Sequence, residues 1–197
     1  MAPTAMGYWG RTTSTIDWCE KNYDTTFYIA EFWNTISSMS MVIPAAFSLF
    51  HSLKKQEDNR ISISFALLIL VGIGTSMFHI TLKYEMQLLD ELPMVWGTLY
   101  VVYILASIAI PQLEQSSLFK VLLTVYGIIT TTVYLVIQLP VFHQTSFGIL
   151  VGTILFLNIY MIFRKFLPGP LIPLTQGHAI WHCFAGYSFY IQRRELD

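Results

Sequence analysis

The chain has 197 residues, of which 54% are hydrophobic, 15% aromatic and only 12% charged, and its mean hydropathy is +0.55. A soluble domain carries about 25% charged residues, so this composition points away from a water-soluble enzyme and toward an integral membrane protein. A net charge of −1 without any basic run excludes a nucleic-acid or polyanion partner, and two cysteines, Cys19 and Cys183, exclude a disulfide-stapled secreted scaffold.

The first residues, MAPTAMGYWGRTTSTIDWCE, lack the basic start and apolar core of a cleaved signal peptide. The first apolar helix is expected to serve as the insertion signal. Five apolar stretches follow, at 32–53, 61–82, 92–110, 118–137 and 146–163, each close to the roughly 20 residues needed to cross about 30 Å of hydrocarbon. The connectors between them are polar: KKQEDNR (54–60), KYEMQLLDE (83–91), PQLEQSS (111–117) and QLPVFHQ (138–144). A sixth segment, HAIWHCFAGYSFYI (178–191), is amphipathic and too short for a straight crossing. Backbone groups facing lipid must pair within their own segment, so helices are expected. The reading is an all-α, polytopic transmembrane helix bundle over 32–191, with an N-terminal segment 1–31 and a tail 192–197. Lys54, Lys55, Arg60, Lys120, Arg164 and Lys165 fall on one side, against Arg11, Lys21 and Lys83 on the other. By the positive-inside rule the N-terminus is non-cytoplasmic.

Four constellations carry ionisable groups. His79 follows Thr75 by four residues and Ser76 by three, so a hydroxyl and the imidazole share a helical face. The plain reading is an interfacial histidine bonded to a neighbour; the functional reading takes an intramembrane ionisable group as a site. Asp90 precedes Glu91-Leu92-Pro93, where it serves either as a helix cap or, on the same membrane face as His79, as a general base. His178 and His182 stand at i and i+4, a spacing that suits zinc but is weak by itself. Asp17, Glu20 and Asn22, with Glu31 further on, offer oxygens for a hard cation such as Ca²⁺, or form a solvated segment ahead of the first helix. His51 and His143 read as interfacial, Lys83 and Glu85 as connector residues, and Glu91 as a helix-start acid.

On GYWG, TSTIDWCEKNY, YIAEFWNTIS, FHITLKYEMQLLDELPM, TTVYL with FHQ, and HAIWH, the chain resembles the alkaline ceramidases. The resemblance covers residues 7 to about 163 and then 176–186. It implies a seven-helix membrane amidase of the endoplasmic reticulum and Golgi, with a lumenal N-terminus. Such an enzyme cuts the N-acyl bond of ceramide to a sphingoid base and a fatty acid, with the bilayer and its lipid substrate as partners and no obligate protein partner. It further implies His79, His178 and His182 as zinc ligands, Asp90 as the base, and Thr75 in place of the family's serine beside the developing oxyanion. Asp17, Trp18 (through its carbonyl), Glu20, Asn22 and Glu31 would bind Ca²⁺.

The chain departs from the family between its fifth span and HAIWH. There RKFLPGPLIPLTQG (164–177) stands where the resemblance implies a further membrane helix, and the last helix is expected to be shorter than the family's. Without that helix, His178 is expected to begin on the face opposite His79, about 30 Å away. An extended chain of residues 164–177 spans that distance at about 3.3–3.6 Å per residue, at the cost of backbone groups needing cover. The alternative expectation is a catalytically inactive shortened form that binds lipid or pairs with a full-length copy.

Overall fold

The computed structural model describes residues 6–56 and 58–163. Among them lie six helices: α1 (Phe32–Lys55), α2 (Asn59–Thr81), α3 (Tyr84–Ala109), the single turn α4 (Gln112–Gln115), α5 (Ser117–Ile137) and α6 (Pro140–Phe163). All but α4 are long and apolar enough to cross a membrane. The described secondary structure is helical apart from two isolated bridges, Gly7 with Gly10 and Thr26 with Ile29. The chain through Ile154 forms one compact unit, and the last described turns of α6 belong to a second.

Local chemistry sets the helix ends. The Asp58 carboxylate accepts the Arg60 N–H at 2.9 Å and starts α2, and the Ser116 hydroxyl accepts the Phe119 N–H at 3.2 Å and starts α5. Pro140 opens α6, where its missing N–H has no partner to lose. Three helices end on left-handed residues that are not glycine: Gln56, Leu82 and Gln138. Leu82 is fully buried, and its N–H returns to the Phe78 carbonyl at 2.7 Å. Only Lys83 then separates it from α3, so α2 and α3 form a tight hairpin.

Close packing follows from small residues. A Cβ on Gly72 would meet Val42 of α1, one on Gly127 would meet the Trp96 ring of α3, and one on Gly74 would lie 2.3 Å from the Leu89 carbonyl oxygen. The large apolar side chains left exposed, such as Phe47, Phe50, Ile128, Val136 and Ile149, suit a lipid-facing surface.

Two element boundaries differ from the sequence reading. Helix α3 begins at Tyr84, not 92, so YEMQLLDE is helix rather than connector, with Lys83 as its N-cap residue. Its Glu, Met, Gln and Leu are good helix formers, and Gln87, Asp90 and Glu91 are buried by neighbours, while Glu85 stays exposed. Asp90 and Glu91 therefore sit inside α3, not at its cap, and Pro93 lies within the helix. Likewise α6 begins at Pro140 rather than 146, which buries His143 to 3% exposure instead of leaving it interfacial.

Candidate functional site

An α-helix leaves its last carbonyls without helical donors. At the C-terminal end of α2 the N-terminal segment supplies them. Glu31 N–H donates to the His79 carbonyl at 2.9 Å and Ala30 N–H to Ile80 at 3.0 Å. Thr13 and Ser14 N–H both donate to Leu82 at 3.1 Å. Beneath them Ala30, Phe78 and Leu82 form a buried apolar cluster with Tyr23 and Met86 packed against it. The segment is thus built onto the end of α2 that carries His79.

This docking places Glu31 on His79. Glu31 is 0% exposed, and its carboxylate meets the His79 Nδ1. It also accepts the Trp18 N–H at 3.3 Å and the Asn34 side-chain amide at 3.2 Å. A charge this deeply buried needs such partners. With Nδ1 turned to a carboxylate, Nε2 is the ring nitrogen left for a metal, and a carboxylate behind the ring is the usual support for a ligating histidine.

Across the hairpin, Asp90 is 8% exposed and its carboxylate receives the Thr75 hydroxyl. Thr75 lies one turn before His79 on α2. The Thr75 Oγ1 also lies 2.9 Å from the Val71 carbonyl of its own helix, while the Ser76 hydroxyl donates to Gly72 of that helix at 2.7 Å. The close contact at Gly74 holds these two helices together one residue from Thr75. His79, Thr75, Asp90 and Glu31 are therefore brought together at one end of the α2–α3 hairpin.

The oxygen-rich loop lies next to them. Glu20 accepts the Trp33 and Asn34 N–H groups at 2.8 and 2.9 Å, so Glu20 rather than the N-cap residue Glu31 caps α1. The Asn22 amide donates to Asp17 at 3.1 Å, while the Asn22 Oδ1 is buried without a hydrogen-bond partner. An orphaned acceptor among carboxylates fits a hard, oxygen-seeking cation. Trp18 is 48% exposed. Among the described residues no group of three or more His, Cys, Asp or Glu side chains is arranged to hold a metal. His178 and His182 lie outside the described residues, as does Cys183.

A second polar cluster escaped the sequence reading. Glu91, Gln87, Tyr134 and His143 are all buried, and Gln87 and Tyr134 are fully so. The Tyr134 hydroxyl donates to the Glu91 carboxylate. The Gln87 Nε2 lies 3.1 Å from that carboxylate and 2.8 Å from the Thr15 hydroxyl, and the Thr15 N–H donates back to Gln87 at 2.8 Å. The one sequence signal was the i, i+4 pair Gln87–Glu91. By contrast, His51 is exposed on α1 with its Nδ1 3.0 Å from the Phe47 carbonyl, and Lys83 donates to the Arg11 carbonyl at 2.7 Å.

The family profile described as Ceramidase matches residues 10–166. Mouse alkaline ceramidase 3 is 36% identical over 232 aligned positions, covering 97% of this chain and 86% of that protein. The alkaline ceramidase of Arabidopsis thaliana is 29% identical over 222 positions, covering 96% of this chain and 85% of that protein. Both alignments are longer than the 197-residue chain, so they open gaps on its side.

Proposed function

The chain belongs to the ceramidase family, and from that premise we propose that it hydrolyses the N-acyl amide bond of ceramides within the membrane, releasing a sphingoid base and a fatty acid. The observation that carries this reading is the buried pair His79–Glu31 facing the buried Asp90 and its half-buried partner Thr75 across the α2–α3 hairpin.

His79, with His178 and His182, would hold a zinc ion. Zinc supplies Lewis acidity, polarising the amide carbonyl and acidifying a water molecule. Asp90 takes the proton from the attacking water as the new C–O bond forms, and then passes it to the amine nitrogen, so that the C–N bond breaks as the carbonyl re-forms. The Thr75 hydroxyl has one proton. While it donates to Asp90 it fixes that carboxylate; once Asp90 is protonated, that proton can turn to the developing oxyanion in competition with the Val71 carbonyl 2.9 Å away. Glu31 holds the His79 ring. Asp17, the Trp18 carbonyl, Glu20, Asn22 and Glu31 would bind Ca²⁺, and the orphaned Asn22 oxygen supports that reading. The N-terminal segment lies in the lumen of the endoplasmic reticulum or Golgi, in keeping with the lysines and arginines gathered on the other side.

A second reading rests on the alignment gaps. A chain lacking a family helix ahead of His178 is an inactive form that binds lipid or pairs with a full-length copy. One experiment separates the two: zinc per chain by mass spectrometry on detergent-purified protein, with ceramide hydrolysis in parallel. One zinc per chain, lost with hydrolysis in His178→Ala, supports the amidase. Neither zinc nor hydrolysis supports the inactive form.

A further inference from the structure

Pro93 sits inside α3 and has no N–H. The carbonyl four residues earlier, that of Leu89, therefore loses its helical donor. The turn that carries Asp90 and Glu91 is thus the weakest place in the α3 hydrogen-bond ladder. Elements on both sides hold it. On the α2 side Gly74 lies so close that a Cβ there would come within 2.3 Å of the Leu89 oxygen.

On the other side the holding is polar. Consecutive residues of a helix point about 100° apart, so Asp90 and Glu91 face different neighbours. Asp90 faces Thr75 of α2, and Glu91 faces α5 and α6. The Glu91 carboxylate takes the Tyr134 hydroxyl of α5 and the Gln87 amide. The Gln87 Nε2 also lies 3.0 Å from the Tyr134 oxygen. The Glu91 carbonyl accepts from the His143 Nε2 of α6 at 3.0 Å, and the His143 Nδ1 stands 3.9 Å from the Glu91 carboxylate. Three buried polar side chains thus converge on Glu91, the residue next to Asp90. Apolar side chains of the same volume would fill this space without the cost of desolvating a carboxylate.

We propose that Glu91 and Tyr134, supported by Gln87 and His143, are positioning residues that fix the rotation of α3 at its proline break and so aim Asp90 at Thr75 and the reacting water. The inference rests on the reading of Asp90 as the base. It assigns the two neighbouring acids different tasks: Asp90 moves a proton, and Glu91 sets where Asp90 points.

The test uses the full chain in detergent–lipid micelles with Tyr134→Phe and Glu91→Gln, each close in shape to the original. Tyr126→Phe is the control; its hydroxyl also joins α5 to α6, donating to the Ser146 carbonyl at 2.9 Å, but it does not touch the Glu91 cluster. Two quantities are read: kcat and KM on ceramide, and the pH dependence of carbodiimide labelling at Asp90, mapped by mass spectrometry. A misaimed base is expected to lower kcat by about ten- to a hundredfold at unchanged KM, and to shift the Asp90 labelling profile, in both cluster variants and not in Tyr126→Phe. An unchanged kcat and labelling profile in Tyr134→Phe and Glu91→Gln overturns the proposal. So does a loss of thermal stability alone. If the parent chain hydrolyses no ceramide, the amidase reading fails by itself, and the labelling profile still decides whether Glu91 and Tyr134 set the environment of Asp90.

Discussion

At one end of α2 and α3 the charged and polar groups are buried. Glu31, His79, Asp90, Glu91 and Gln87 are each less than a tenth exposed, and every one has a named partner from another element. At the other end Arg60 pairs with Asp58 at 2.6 Å and Glu114 at 3.0 Å, but these side chains are 36–51% exposed. The ion pairs look alike on paper. Their surroundings make them opposites: water competes for the exposed pairs, whereas the buried groups have only one another. Carboxylates kept out of water within a membrane chain mark a candidate functional site.

The largest change should come from the base. Asp90→Asn keeps the shape and can still accept from Thr75, yet it should lower ceramide hydrolysis by about 10²–10⁴-fold. The thermal midpoint should stay near that of the parent. A variant that retains full turnover would remove Asp90 from the chemistry and dissolve the functional half of the contrast.

Glu31→Ala should follow. It strips the buried partner from His79 and from the Trp18 and Asn34 donors, at a cost of about 3–5 kcal/mol. Differential scanning fluorimetry should show a clear fall in the unfolding midpoint, accompanied by loss of hydrolysis. Gly74→Ala comes next, because its Cβ has nowhere to go except into the Leu89 backbone; about 1–3 kcal/mol of destabilisation is expected in the same assay.

The exposed end should barely respond. Arg60→Ala is expected to shift stability by no more than about 1 kcal/mol. The Arg60 hydrogen bond holds the Asp58 carboxyl below its ordinary value of 3.8. A depressed folded-state value means that any contribution is present above the unfolded value and is lost as pH falls through the folded one. The Arg60→Ala difference should therefore be flat between about pH 5 and pH 9, and vanish only in acid. A large effect of Arg60→Ala at neutral pH would show that exposure does not separate the two ends.

How much of this was legible in the sequence follows the same division. The five spans stood out because apolar runs of that length have few other uses; His79 stood out as an ionisable group inside one of them, and Asp90 as an acid beside the next. The start of α3 did not. Tyr84 to Glu91 carries enough charge to pass for a connector, and nothing local says that Thr15, Tyr134 and His143 arrive from distant elements to cover it. For the same reason the sequence presents Glu91 as a helix-start acid and His143 as interfacial. The left-handed helix ends at Leu82 and Gln138 were also hidden, since such ends are usually written with glycine. The likeness of FHITLKYEMQLLDELPM to the alkaline ceramidases pointed to the family where composition pointed only to a membrane.

The N-terminal segment supplies the donors for the end of α2, and this sets an order of events during synthesis. Residues 13–31 leave the ribosome before Ile80 and Leu82 exist. Until the second span has been threaded through the translocon, the N–H groups of Thr13, Ser14, Ala30 and Glu31 have only water to bond, and Glu31 has no imidazole to receive it. The segment must wait, solvated and unpaired, for a helix made later. Assembly of the site thus reports that the α2–α3 hairpin has been inserted the right way round, since a hairpin inserted in the opposite sense would put its closing turn across the bilayer from the segment meant to close it.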